Sequence, residues 1–211
     1  NCVIKLQKSN TNNSIGVSLT ITNSTGATQT GTVVGYRASN LLIENDSISN
    51  VTSGIHLSNT GTPISPLYDD NVIIRNNNIS NFGNTSSTYY GIRFDQCTNS
   101  SIYNNTIIGG TGNTVTCYGI YNTGNDSMTN TVRKNTITLT PSNTSSQVTA
   151  IIFASYSGAA GTLNVDSNTI QNCTMAAATT SNWYGIYLNS STNFTNVING
   201  NIFSNNKYGS T

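Results

Sequence analysis

Apolar residues along the chain fall into short clusters separated by polar stretches, and the clusters recur. The segment NVIIRNNNIS (71–80) returns as NSSIYNNTII (99–108), NTVRKNTITL (130–139), LNVDSNTIQN (163–172) and NVINGNIFSN (196–205). All reduce to apolar-x-x-Asn-x-apolar: Ile74, Asn77, Ile79; Ile102, Asn105, Ile107; Val132, Asn135, Ile137; Val165, Asn168, Ile170; Ile198, Asn201, Phe203. An earlier copy, Ile43, Asp46, Ile48, carries Asp in place of Asn. Successive copies lie 28 to 33 residues apart, a period typical of solenoid repeats. A second motif is interleaved with the first: SGIHL (53–57), YGIRF (90–94), YGIYN (118–122), TAIIF (149–153) and YGIYL (184–188), with TVVGY (32–36) as a degenerate member.

No 3.6-residue pattern of apolar positions appears, so each period reads as two or three short strands with loops of unequal length between them. Strands of this kind at a fixed long period predict an all-β parallel solenoid. Stacking explains the Asn. At one position per coil, side chains about 4.8 Å apart can hydrogen-bond to one another and to the turn backbone. Asn also tolerates the left-handed conformation of a sharp turn, so the reading places Asn77, Asn105, Asn135, Asn168 and Asn201 in a structural ladder at a turn. Ile74, Ile102, Val132, Val165 and Ile198 are expected to form an inward row.

These repeats resemble the right-handed parallel β-helix proteins of pectate-lyase-like architecture, over about residues 31–208. The resemblance implies a fold more than an activity, because the same repeat carries polysaccharide lyases, glycoside hydrolases, tailspikes and surface adhesins. NNTIIGG and NWYGIYLNSSTN are also similar in style to long bacterial surface proteins exported by type IX secretion. Tyr208-Gly209 matches the start of the YGI motif and CVIKL begins without a cap. Residues 1–211 are therefore expected to be a single segment of six to seven coils from a longer protein, with flanking coils of the same chain as its neighbours.

Composition narrows the function. Only 7% of residues are charged and the formal net charge is +1, so no basic block is available to neutralise phosphates and nucleic acid is excluded as a partner. No apolar run is long enough to span a membrane. Four Cys without C-x-x-C spacing and one His imply no metal site, no cofactor and unpaired thiols. The seven carboxylates sort mostly by coil. Glu44, Arg75, Tyr103, Arg133, Asp166 and Asn199 form an outward column in which Glu44 faces Arg75 and Arg133 faces Asp166.

Asp69, Asp70, Arg93, Asp95 and His56 are the weak catalytic candidates, since only here could acid, base and imidazole converge. A lyase would need a calcium cage and a basic residue, and a hydrolase two carboxyl groups about 5 to 9.5 Å apart. Tyr121 and Tyr187 share a column with His56 and Arg93, and flat rings beside hydrogen-bond donors suit the faces of sugars, so these four residues are the glycan-binding candidates. The expected function is a non-enzymatic structural or adhesive segment of a secreted or cell-surface protein, with extracellular polysaccharide or the secretion machinery as partner. The alternatives are a β-helix polysaccharide lyase or hydrolase, and a dedicated carbohydrate-binding module.

Overall fold

The computed structural model describes residues 3–5, 15–19, 40–57, 69–83, 88–110, 116–124, 129–141, 147–156, 160–175, 182–190 and 193–209. The segment TVVGY (32–36) and Cys2 lie outside them.

Each period supplies one strand to each of three parallel sheets, visited in the same order every time, and two short two-stranded sheets are added by Asp69–Asp70 with Cys97–Thr98 and by Thr174–Met175 with Lys207–Tyr208. Sheet A stacks Leu42–Glu44, Ile73–Arg75, Ser100–Tyr103, Thr129–Arg133, Gly161–Asp166 and Phe194–Asn199. Sheet B stacks Val3–Lys5, Ser47–Ser49, Asn78–Phe82, Thr106–Gly109, Thr136–Leu139, Thr169–Gln171 and Ile202–Ser204. Sheet C stacks Ile15–Leu19, Ser53–Leu57, Tyr89–Phe94, Cys117–Thr123, Val148–Tyr156 and Trp183–Ser190. With six, seven and six strands, the three sheets close a parallel β-solenoid around one apolar interior.

The repeat sets the register. Ile43, Ile74, Ile102, Val132, Val165 and Ile198 pair in line along sheet A, and Ile48, Ile79, Ile107, Ile137, Ile170 and Phe203 along sheet B. Rows of β-branched and aromatic side chains stacked at strand spacing fill the interior.

Two residues turn the chain from sheet A to sheet B, and the second of them is the ladder residue. Each Asn side-chain oxygen accepts from both the main-chain N–H and the side-chain amide of the coil below: Asn77 to Asn105, Asn105 to Asn135 and Asn135 to Asn168 at 3.0 Å, Asn168 to Asn201 at 2.9 Å. The other amide hydrogen reaches back to a carbonyl of the preceding coil, as from Asn135 to Ile102 at 2.9 Å. Asp46 donates its main-chain N–H to Asn77 Oδ1 at 3.0 Å, which places it on the first described rung. A buried amide that makes all these bonds leaves the turn fully satisfied, the condition for burying polar groups at low cost.

The left-handed residue, however, is not the ladder Asn. It is the residue before it: Asn45, Asn76, Asn104, Lys134, Ser167 and Gly200 all have φ between 54° and 60°. The division of labour has a physical reason, because the ladder side chain must point inward in register while its predecessor absorbs the sharp reversal.

A second departure concerns Tyr208-Gly209. Lys207–Tyr208 pairs with Thr174–Met175 at the turn after sheet B, and not with Trp183–Ser190, so this Tyr-Gly does not begin a YGI strand.

Candidate functional site

The outer face of sheet C gathers Tyr90, Tyr118, Tyr121, Tyr184 and Tyr187 with Arg93 and His56, and a slip in the alternation of its strands makes this possible. Tyr89–Phe94 and Cys117–Thr123 alternate buried and outward residues except at Gly-Ile, where two consecutive residues point inward. The phase therefore slips by one, and Tyr90 and Arg93, three apart, emerge on the same face, as do Tyr118 and Tyr121. At Gly91 and Gly119 the slip leaves little room for a side chain. A Cβ on Gly91 would lie 2.5 Å from Ile107 Cγ2, and one on Gly119 would lie 2.9 Å from Ile137 Cγ2.

The resulting cluster is continuous across three coils. His56 pairs with Arg93 and Arg93 with Tyr121, while Tyr90 pairs with Tyr118. The rings of Tyr90 and Tyr118 stack at 5.6 Å and 18°, Tyr121 sits 5.1 Å and 5.0 Å from them, and His56 lies 5.8 Å from Tyr90. The Arg93 guanidinium lies over two of these rings, 4.9 Å from Tyr90 and 5.3 Å from Tyr121, a geometry favourable for cation–π attraction. Its Nε donates to Asp95 Oδ2 and its Nη1 to the Tyr90 hydroxyl at 3.3 Å.

Asp95 is only 2% exposed, and burial pushes its carboxyl up to about 6, against the pull of Arg93. Burial, with Arg93 adding to it, lowers His56 to about 4. His56 Nε2 and Asp95 Oδ1 are buried without a hydrogen-bond partner among the described residues. At neutral pH the imidazole is uncharged and Arg93 is held by a buried carboxylate.

Among the described residues the other carboxylates are not brought to this cluster. Asp69–Asp70 pairs with Cys97–Thr98, and the Asp70 carboxylate accepts from the Asn99 amide at 2.8 Å; the Asp69 side chain lies outside the described residues. Glu44 bonds Arg75 Nε at 2.6 Å as the column predicts. Arg133 neighbours Asp166 in register, yet its guanidinium lies 4.9 Å from the Tyr103 ring while Asp166 accepts from Ser167 Oγ at 3.0 Å. The half-buried Tyr103 ring offers Arg133 contact where an exposed ion pair with Asp166 would gain little.

Among the described residues no three His, Cys, Asp or Glu side chains lie together as metal ligands would. Cys97, Cys117 and Cys173 are buried and form no disulfide with one another, and burial pushes the thiols of Cys117 and Cys173 up.

Tyr187 lies in the expected column but apart from the cluster. Ile152, only 3% exposed, stands between it and Tyr121, and Tyr187 contacts Tyr184 instead, at 4.9 Å between ring centroids. The column thus divides into a Tyr90–Tyr118–Tyr121 patch with Arg93 and His56, and a separate Tyr184–Tyr187 pair. The division follows from Thr149 and Ile152 occupying the Tyr positions in TAIIF. The patch offers flat rings and a fixed guanidinium. The chain matches no protein-family model, no curated protein and no solved structure.

Proposed function

We propose that this chain is a non-enzymatic β-solenoid segment of a secreted or cell-surface bacterial protein, serving as a stiff structural or adhesive element. The observation that carries this reading is how the acids of the described coils are engaged. Asp95 is locked to Arg93, two residues before it, while Asp70 bonds Asn99 and Glu44 bonds Arg75 across neighbouring coils. Acid–base hydrolysis needs two carboxyl groups facing one bond, and β-elimination needs a base free to take a proton. The polar composition, rich in Asn, Ser and Thr, agrees with exposure to solvent along the whole length, and the style of the repeats supports export.

The test is incubation with a panel of neutral and acidic polysaccharides, with and without calcium, following unsaturated products by absorbance and new reducing ends chemically. No turnover is expected. Turnover abolished by Asp95→Asn would replace this reading with a lyase or hydrolase.

A second reading, that the segment contacts glycan, draws on the Tyr90–Tyr118–Tyr121 patch. Clustered tyrosines beside a fixed guanidinium can bury sugar faces at low entropic cost. Binding on a glycan array that persists in a Tyr118→Ala, Tyr121→Ala variant would place any glycan contact elsewhere.

A further inference from the structure

Within the Tyr90–Tyr118–Tyr121 patch the two charges lie at different depths. The Arg93 side chain is 25% exposed and that of Asp95 only 3%, so the guanidinium faces outward with its counter-charge buried beneath it. Arginine carries five N–H donors. Here Nε is held by Asp95 Oδ2 and one Nη1 hydrogen by the Tyr90 hydroxyl, which leaves the others for a molecule lying on the rings.

The surroundings add no positive charge. His56, the register partner of Arg93 in the preceding coil, is uncharged at neutral pH because burial and Arg93 lower it to about 4. Tyr118 and Tyr121, from the following coil, keep their protons, since burial pushes both hydroxyls up. Asp69–Asp70 pairs with Cys97–Thr98 just beyond Asp95 and brings further acid to this side. Among the described residues, Arg75 and Arg133 belong to sheet A, and Lys134 and Lys207 to other turns and strands.

A ligand on this face therefore meets three rings and a set of donors, but no net positive charge. An uncharged sugar fits both features. Its apolar C–H face lies on the rings and its hydroxyls accept the guanidinium hydrogens. A sugar carboxylate would find the nearest cation already matched by a buried anion that cannot leave, with Asp70 as an additional like charge.

We infer that this face selects uncharged glycans, and that Asp95, beneath Arg93 and out of the ligand's reach, is the residue that excludes uronic-acid chains. The inference rests on the reading that the segment contacts glycan through this patch. Asp95 acts through Arg93 as a positioning residue, aiming the guanidinium while cancelling its charge.

The experiment is calorimetric titration of the full chain with cello-, manno- and laminari-oligosaccharides and with oligogalacturonate of matched length, at low and high salt. At pH 7 a neutral oligosaccharide should bind with an affinity indifferent to salt, and oligogalacturonate about tenfold or more weakly. Asp95→Asn removes the counter-charge and should raise oligogalacturonate affinity about tenfold, a gain that high salt abolishes. The unsubstituted chain provides a second measurement. Burial pushes the Asp95 carboxyl up to about 6, so at pH 5 most molecules hold it protonated while galacturonate stays ionised and His56 stays largely neutral. Oligogalacturonate should gain affinity there too. Oligogalacturonate bound at pH 7 as tightly as the neutral sugars overturns the selectivity and leaves glycan contact standing. No gain in Asp95→Asn and none at pH 5 overturns the role of Asp95. Neutral-sugar binding untouched by Tyr118→Ala, Tyr121→Ala, or absent altogether, removes the underlying contact and this inference with it.

Discussion

Asn135 makes and receives bonds on both sides of its coil: its amide reaches Asn168 Oδ1 at 3.0 Å and Ile102 O at 2.9 Å, and its oxygen receives the Asn105 amide and N–H. Asn135→Ala strips these groups of partners in the interior, and a loss of about 1–3 kcal/mol in chemical denaturation is expected. A loss below about 0.5 kcal/mol would show that the ladder adds little beyond the β-stacking around it. Its neighbour Lys134 works against the fold, holding φ at 54° where Asn45, Asn76 and Asn104 serve in other coils. Replacing it by the residue its column prefers, Lys134→Asn, should raise stability by about 0.5–1 kcal/mol, because a long side chain in the left-handed region carries a penalty that Asn largely escapes. An unchanged or lower melting temperature would mean that Lys134 contributes something its backbone geometry does not reveal.

At the scale of the strand, the Gly-Ile step governs both the packing and the outer face. Gly119→Val should cost about 1–3 kcal/mol by driving a branched side chain into Ile137 and Ala150 O. The same change should scatter Tyr118 and Tyr121, visible as altered near-ultraviolet circular dichroism; destabilisation with unchanged aromatic signal would separate packing from the phase slip. Much of this element was legible in the sequence, since the paired motifs fixed the stacking, the inward rows and the ladder. The left-handed column was not, because Asn stands both at the turn and in the ladder in NNN (76–78), and only Lys134, Ser167 and Gly200 betray that two different positions are involved. The Tyr90–Arg93 and Tyr118–Tyr121 pairing was hidden by strict alternation, which would put residues three apart on opposite faces. The division between Tyr121 and Tyr187 lay in TAIIF, where Ile152 fills the position of a Tyr.

Across the whole molecule, two groups in one cluster bend the pH dependence of stability in opposite directions. Asp95 titrates at about 6 in the folded chain against an ordinary 3.8, so the folded form holds that proton more tightly and its contribution to stability falls as pH rises through this window. His56 titrates at about 4 against 6.5, so the unfolded form holds that proton more tightly and its contribution grows over nearly the same range. Relative to the wild type, His56→Gln should therefore lose stability progressively from about pH 4 to pH 6.5, and Asp95→Asn should gain it from about pH 4 to pH 6. Urea midpoints measured across that range decide the matter: parallel curves for all three proteins would mean that neither group is perturbed by its burial.

The ladder bonds run along the solenoid axis while the chain winds across it, so the coils are joined in series, every interface bears the full axial tension and the weakest gives way first. Each ruptured rung frees the 28, 30 or 33 residues between neighbouring Asn, an extension on the order of 100 Å of contour. Pulled from its ends, the protein should lengthen in discrete jumps whose sizes spell out the coil lengths, and repeated rupture and rewinding would let it absorb mechanical work like a shock cord.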